Sequence, residues 1–116
     1  MGFPVARFEI TAVDTKGARE FYGRLFGWKS VPHPADGFAE LHTGDGIDGT
    51  LLPAEDGMPT FVAVYVEVDD VERVMRNAEE LGGTIYVPAG PSMLANESCF
   101  GLIGDPEGNL IGLVQR

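Results

Sequence analysis

Residues 21–28 read Phe-Tyr-Gly-Arg-Leu-Phe-Gly-Trp (FYGRLFGW), and these eight residues decide the fold. With Ala18, the side chains of Phe21, Tyr22, Leu25 and Phe26 recur at helical spacing and make one apolar stripe. Gly27 is placed to end that helix as a left-handed cap residue. Trp28 then opens a strand over Trp28–Val31. Upstream, Asp14 or Thr15 caps the helix start. Before it, Val5–Ala12 predicts a strand: from Phe8 on, apolar Phe8, Ile10 and Ala12 alternate with Glu9 and Thr11, and Arg7 continues the polar face.

Downstream, His33–Gly37 and Gly44–Gly46 carry turn chemistry. Phe38–Thr43 predicts a strand with Glu40 and His42 on one face, and Ile47–Leu52 a short strand broken by Gly49. Residues 54–59 form a linker rich in breakers. The plan then restarts. Phe61–Val68 predicts a strand of strong β-formers, with Val62, Val64, Val66 and Val68 on one face and Ala63, Tyr65 and Glu67 on the other. Asp69 and Glu72 have capping-box spacing. Val71, Val74, Met75, Ala78 and Leu81 make a second helical stripe, ended by Gly82-Gly83. Thr84–Val87, Ser98–Ile103 and Leu110–Val114 predict the last strands, with Pro88–Glu97 as a long loop.

Strand, Val-Asp, helix and glycine thus occur twice, at Val13-Asp14 to Gly27 and at Val68-Asp69 to Gly82. Each half reads βαβββ. A unit of about 55 residues is marginal alone, whereas two packed together bury a continuous core. The expectation is one domain over residues 1–116, with modules at about 1–53 and 60–116.

The chain has 116 residues, 44 % of them hydrophobic, and a formal net charge of −10. Such a charge argues against nucleic acid and anionic membrane surfaces as partners. It serves solubility, or else attraction of a cationic ligand. Cys99 is the single cysteine, which fits a reducing compartment. The N-terminal residues have no signal-peptide pattern, and Ala6 stands where a myristoylation signal needs Ser or Thr. A cytoplasmic protein is expected. Asp45, Asp48 and Asp56 lack calcium-loop spacing, and no nucleotide-binding glycine motif is present.

Phe8-Glu9-Ile10, FYGRLFGW, Val66-Glu67-Val68-Asp69-Asp70, Glu79-Glu80-Leu81-Gly82-Gly83-Thr84 and Asp105-Pro106-Glu107-Gly108-Asn109 resemble the glyoxalase / bleomycin-resistance / extradiol-dioxygenase family, also called the vicinal oxygen chelate superfamily. The resemblance implies an α+β fold in which two βαβββ modules form a curled, cleft-bearing mixed sheet with helices on its convex face. It also implies a homodimer. One fold hosts many functions, so the resemblance is weaker for the reaction.

Metal-dependent members of that family resemble one another in four ligand positions. One lies early in the first strand of each module, usually His. One lies in the last-strand region of each module, usually Glu. Carried over here, the first is Arg7, which cannot ligate a metal. The second is Ala63, or Val62 if the register slips by one. Glu40 matches the third and Gly112 the fourth. No metal or other cofactor is therefore expected. Gly112, in mid-strand, serves either as a bulge or packing device or as room for a ligand.

The expected ligand-binding set is Arg7, Glu9, Glu40, His42, Tyr65, Glu67 and Gly112. Arg7 and Glu40 are expected to form an ion pair across the cleft and are the candidate catalytic residues, Arg7 gripping a carboxylate or phenolate and Glu40 or Glu9 acting as base. The leading expectation is a small-molecule-binding protein that sequesters an aromatic or cationic compound, with Tyr65 as a stacking face. Two alternatives stand beside it: a metal-independent lyase or isomerase acting on an enolisable carbonyl, and, if the ligand alignment is wrong, a metal-dependent glyoxalase or dioxygenase.

Overall fold

The computed structural model describes residues 2–34 and 37–116. The turn expected over His33–Gly37 falls partly on Ala35 and Asp36, which lie outside the described residues. Among the described residues the order is β1 (Val5–Ala12), α1 (Thr15–Phe26), β2 (Lys29–Pro32), β3 (Ala39–His42), β4 (Gly49–Pro53), β5 (Val62–Glu67), α2 (Val71–Glu80), β6 (Thr84–Gly90), β7 (Cys99–Gly104) and β8 (Leu110–Gln115). The expected α+β class and the twofold βαβββ order are both observed. The chain forms two compact units, one of residues 7–63 and one of residues 2–6 with Val64–Arg116.

In the unit of residues 7–63 the strand order is β2-β3-β4-β1. β1 and β4 run parallel, with Phe8 opposite Gly49 and Glu9 opposite Thr50, while β2–β3 and β3–β4 are antiparallel. The Asp14 carboxylate accepts from Gly17 N at 2.9 Å and caps α1. Gly27, at φ 75°, ends it by donating to the Gly23 carbonyl. Ile10, Leu41 and Leu51 form the core, with Phe8, Ala18, Tyr22 and Trp28 packed against it. The α1 stripe is less buried than expected. Phe21, Leu25 and Phe26 remain exposed, because only Ala18 and Tyr22 point at the sheet.

In the other unit the order is β5-β8-β7-β6. β5 and β8 are parallel, with Tyr65 opposite Gly112. The α2 cap is Asp70, whose carboxylate accepts from Arg73 N. Asp69, the expected cap, instead pairs with the Arg73 guanidinium. Val68, Val71, Met75 and Leu113 form the core beneath α2. Leu81, expected on that stripe, is exposed. Side chains alternate across a strand, so the far face of this sheet carries Tyr65, Leu102 and Val114, a second apolar cluster. The expected valine face of β5 is split: Val66 and Val68 join the α2 cluster, whereas Val62 and Val64 are exposed. β6 runs on to Gly90, so the first residues of the expected Pro88–Glu97 loop are strand. Pro88 is tolerated there because β6 is the outer strand and its ladder is already irregular. At the β7–β8 turn, Gly108 N donates to the Asp105 carbonyl, and the Asp105 carboxylate accepts from Glu107 N and Asn109 N. No described helix is long and apolar enough to cross a membrane.

Candidate functional site

β1 sets the site. Its α1-facing side chains are Phe8, Ile10 and Ala12. The alternate positions Arg7, Glu9 and Thr11 therefore project from the other face. The register brings β4 and β3 alongside: Glu9 stands opposite Thr50, and Thr50 opposite Glu40. Glu40 in turn is opposite Val31, and His42 opposite Lys29. The face away from α1 is thus mostly polar, with Val31 and Leu52 as apolar members opposite Glu40 and Thr11.

Four of these side chains are nearly dry, with Arg7, Glu9, Thr11 and Thr50 between 2 % and 8 % exposed. Burying charge is costly unless it is paired and hydrogen-bonded. Both conditions hold at Arg7. Its Nη1 donates to Thr50 Oγ1 at 3.1 Å and lies 3.5 Å from Glu9 Oε1. Thr11 Oγ1 accepts from Phe61 N at 2.8 Å. Glu40 and His42 are half-buried. His42 Nδ1 lies 3.1 Å from Asp48 Oδ2. The Asp48 carboxyl is held below its ordinary range, first by the Thr43 backbone N–H and then by the His42 ring, against some desolvation.

The expected set is thereby divided. Arg7, Glu9, Glu40 and His42 share one sheet face. In the other unit, Tyr65 and Gly112 touch, and Glu67 pairs with Arg116 at 3.2 Å. The acidic group beside Arg7 is Glu9, two residues on along its own strand, in place of the Glu40 expected across the sheet. The room expected at Gly112 is filled. A Cβ there would lie 2.3 to 2.4 Å from the Tyr65 ring. Tyr65 itself is 2 % exposed and offers no open stacking face.

One residue was missed. Glu9 and Tyr65 each stand five residues before their helix cap, Asp14 or Asp70. Each also faces the parallel last strand of its module, Glu9 at Thr50 and Tyr65 at Gly112. The first-module counterpart of Gly112 is therefore Thr50 and not Glu40. The same cap alignment pairs Arg7 with Ala63, each seven residues before its cap, and settles that register. Cap alignment alone would set Gly112 against Asp56; Thr50 emerges only from the parallel pairing of β1 with β4 and of β5 with β8. Among the described residues, no group of three or more His, Cys, Asp or Glu side chains is placed to hold a metal ion.

Comparison with known proteins agrees with this architecture. The sequence profile of the Glyoxalase/Bleomycin resistance protein/Dioxygenase superfamily matches residues 5–113, and the chain belongs to that superfamily. It is 30 % identical over 115 residues to "Putative glyoxylase CFP32" of Mycobacterium tuberculosis and of Mycobacterium bovis, across 92 % of this chain and 43 % of theirs. The chain thus spans less than half the length of these curated relatives. Among solved structures, a superfamily member from Vibrio splendidus is similar at TM-score 0.67 and 22 % identity, covering 98 % of both chains. Homoprotocatechuate 2,3-dioxygenase from Brevibacterium fuscum, in complex with 3,4-dihydroxyphenylacetate, is similar at TM-score 0.73 and 16 % identity. That match covers 98 % of this chain and 36 % of the dioxygenase. At those identities the likeness is one of fold.

Proposed function

We propose that this chain is a metal-independent member of the superfamily that binds a small aromatic or cationic compound on the polar face of β1, β4 and β3. The observation that carries the reading is the 3.1 Å hydrogen bond from Arg7 Nη1 to Thr50 Oγ1. It joins two of the positions where the family's metal-dependent members place ligands. The four positions, Arg7, Thr50, Ala63 and Gly112, offer a guanidinium, a hydroxyl, a methyl and a hydrogen. A guanidinium has no lone pair to give and repels a divalent cation, and the last two groups have no donor atom. These residues do not fit a metal ion.

The charge on this face supports a cationic ligand. Glu9 neutralises Arg7. Glu40 is half-buried and, among the described residues, has no ion-pair partner. It is the acidic group available to an incoming ligand, with His42 two residues along the same face. Engagement of Arg7 by Glu9 and Thr50 gives less support to a lyase or isomerase, which needs that guanidinium for its substrate. A reducing, cytoplasmic setting agrees with the single half-buried thiol of Cys99.

The test is calorimetric titration of the purified chain with Ni²⁺, Mn²⁺, Zn²⁺ and Fe²⁺, followed by fluorescence titration with the aromatic cations berberine and ethidium. The expected result is no tight ion at one per chain. Dye binding should be weakened about tenfold by Glu40→Gln, the scale of one lost charge-assisted contact. Tight metal binding, or dye affinity indifferent to Glu40→Gln, would overturn the reading.

A further inference from the structure

The apolar stripe of α1 is wider than the sheet beneath it. Ala18 and Tyr22 reach the core, whereas Phe21 and Leu25, one turn apart on the same flank, stay 58 % and 59 % exposed. Outward from them, Glu20 and Arg24 form the next row, again one turn apart. Both are exposed, and among the described residues neither has an ion-pair partner. Large exposed apolar side chains set beside unspent charges of both signs mark a surface built to be covered.

We propose that this flank docks on the same flank of a second copy of the chain, with the two α1 helices antiparallel. The charges select this occupant. In an antiparallel pair like rows face each other in reverse order, as in any isologous contact. A twofold axis that sets Phe21 against Phe21 brings Glu20 of each copy within side-chain reach of Arg24 of the other. Two interchain ion pairs then flank an apolar centre of Phe21 and Leu25. The same axis lays Lys16 of each copy against the carbonyl end of the other helix near Gly27, where a cation is favoured. A parallel arrangement would carry the Glu20 and Arg24 rows of the two copies to opposite sides of the contact and leave them unpaired. An anionic lipid surface is the poorer occupant, because Glu20 lies in the contact row and the chain carries a net charge of −10.

Sedimentation equilibrium of the intact chain over a range of about 1 to 300 µM reads the outcome directly. A dimer is expected. Glu20→Arg alone and Arg24→Glu alone should each weaken it about thirtyfold, since each substitution replaces both symmetry-related attractions by repulsions. The double variant Glu20→Arg/Arg24→Glu should restore it, because the swapped charges complement one another again. Phe21→Glu, at a position already exposed, should abolish it without unfolding the chain. A monomer throughout, or a dimer that survives the single reversals and Phe21→Glu, would overturn the proposal.

Discussion

α1 and α2 occupy the same place in two repeats of one βαβββ plan, yet they are held by different means. α2 buries Val71 and Met75 completely or nearly so, while α1 buries no residue. The sheet faces away from the helices differ as well. The one carrying Tyr65, Leu102 and Val114 is apolar, and the one carrying Arg7, Glu9, Thr11 and Thr50 is polar. One repeat therefore invests in packing on both faces of its sheet. The other keeps chemistry on one face and a spare apolar flank on its helix.

The largest expected effect tests that contrast at the helices. Gly101 exists to admit Met75: a Cβ on Gly101 would lie within 2.1 Å of the Met75 methyl. Met75→Ala should therefore leave a hole that backbone cannot close, at a cost of about 3 kcal/mol. Leu25→Ala, at an exposed α1 position, should change stability by less than about 0.5 kcal/mol under conditions where the chain is monomeric. Urea unfolding of both variants gives the comparison. Similar losses at the two positions would show that α1 is as firmly packed as α2.

The aromatic rings that cover one glycine in each unit's sheet sharpen it further. Phe8 lies over Gly49 on the α1 side, and Tyr65 lies over Gly112 on the side away from α2. Neither glycine has a positive φ, so the demand for glycine is steric and not conformational. Gly112→Ala should cost about 2 kcal/mol by overpacking against the Tyr65 ring. Much of that loss should return in Gly112→Ala/Tyr65→Leu. Thermal melts of the two variants decide it: no loss in the single variant would mean that the ring moves aside freely and that space for a ligand opens there.

How much of this was legible beforehand follows from particular residues. The strand alternation at Phe8–Ala12, the caps at Asp14 and Gly27 and the turn at Asp105–Gly108 are local signals, and each lies where its chemistry placed it. What escaped were facts of register and coverage. Periodicity finds the apolar stripe of α1 but not how much of it a four-stranded sheet can cover, so Phe21 and Leu25 were expected inside. Parity puts Arg7, Glu9 and Glu40 on one face but does not say which acid reaches the guanidinium. Thr50 was passed over because a threonine in a short strand has no signature until its parallel partner is known. Gly112 stayed open between a packing device and room for a ligand, since a sequence cannot show that the ring of a residue far away in the chain already fills the space.

The smallest effect concerns the turn that delivers Thr50 to Arg7. Each unit closes a hairpin with an aspartate: Asp48 just before β4, and Asp105 just after β7. Asp105 is pulled below its ordinary value by neutral partners, first the Asn109 side chain and then backbone N–H groups. Asp48 is pulled down by the Thr43 N–H and also by the His42 ring. A carboxylate whose folded pKa is depressed stabilises the fold above its unfolded pKa, 3.8 for Asp48. That stabilisation is lost as pH falls from there through the still lower folded value. Asp48→Asn can still accept from Thr43 N through its amide oxygen but carries no charge. The wild type should therefore be slightly the more stable at pH 7. Its advantage should shrink as pH falls below about 4, and urea midpoints at pH 7 and pH 3 measure the change. The effect is small because the pair is half exposed, with side chains 43 % and 48 % accessible. A gap that does not change with pH would mean that the charge of Asp48 adds nothing to the turn beyond its hydrogen bond with Thr43. A gap that closes would mean that the Asp48 charge, set against the His42 ring, helps to hold the hairpin that leads into β4.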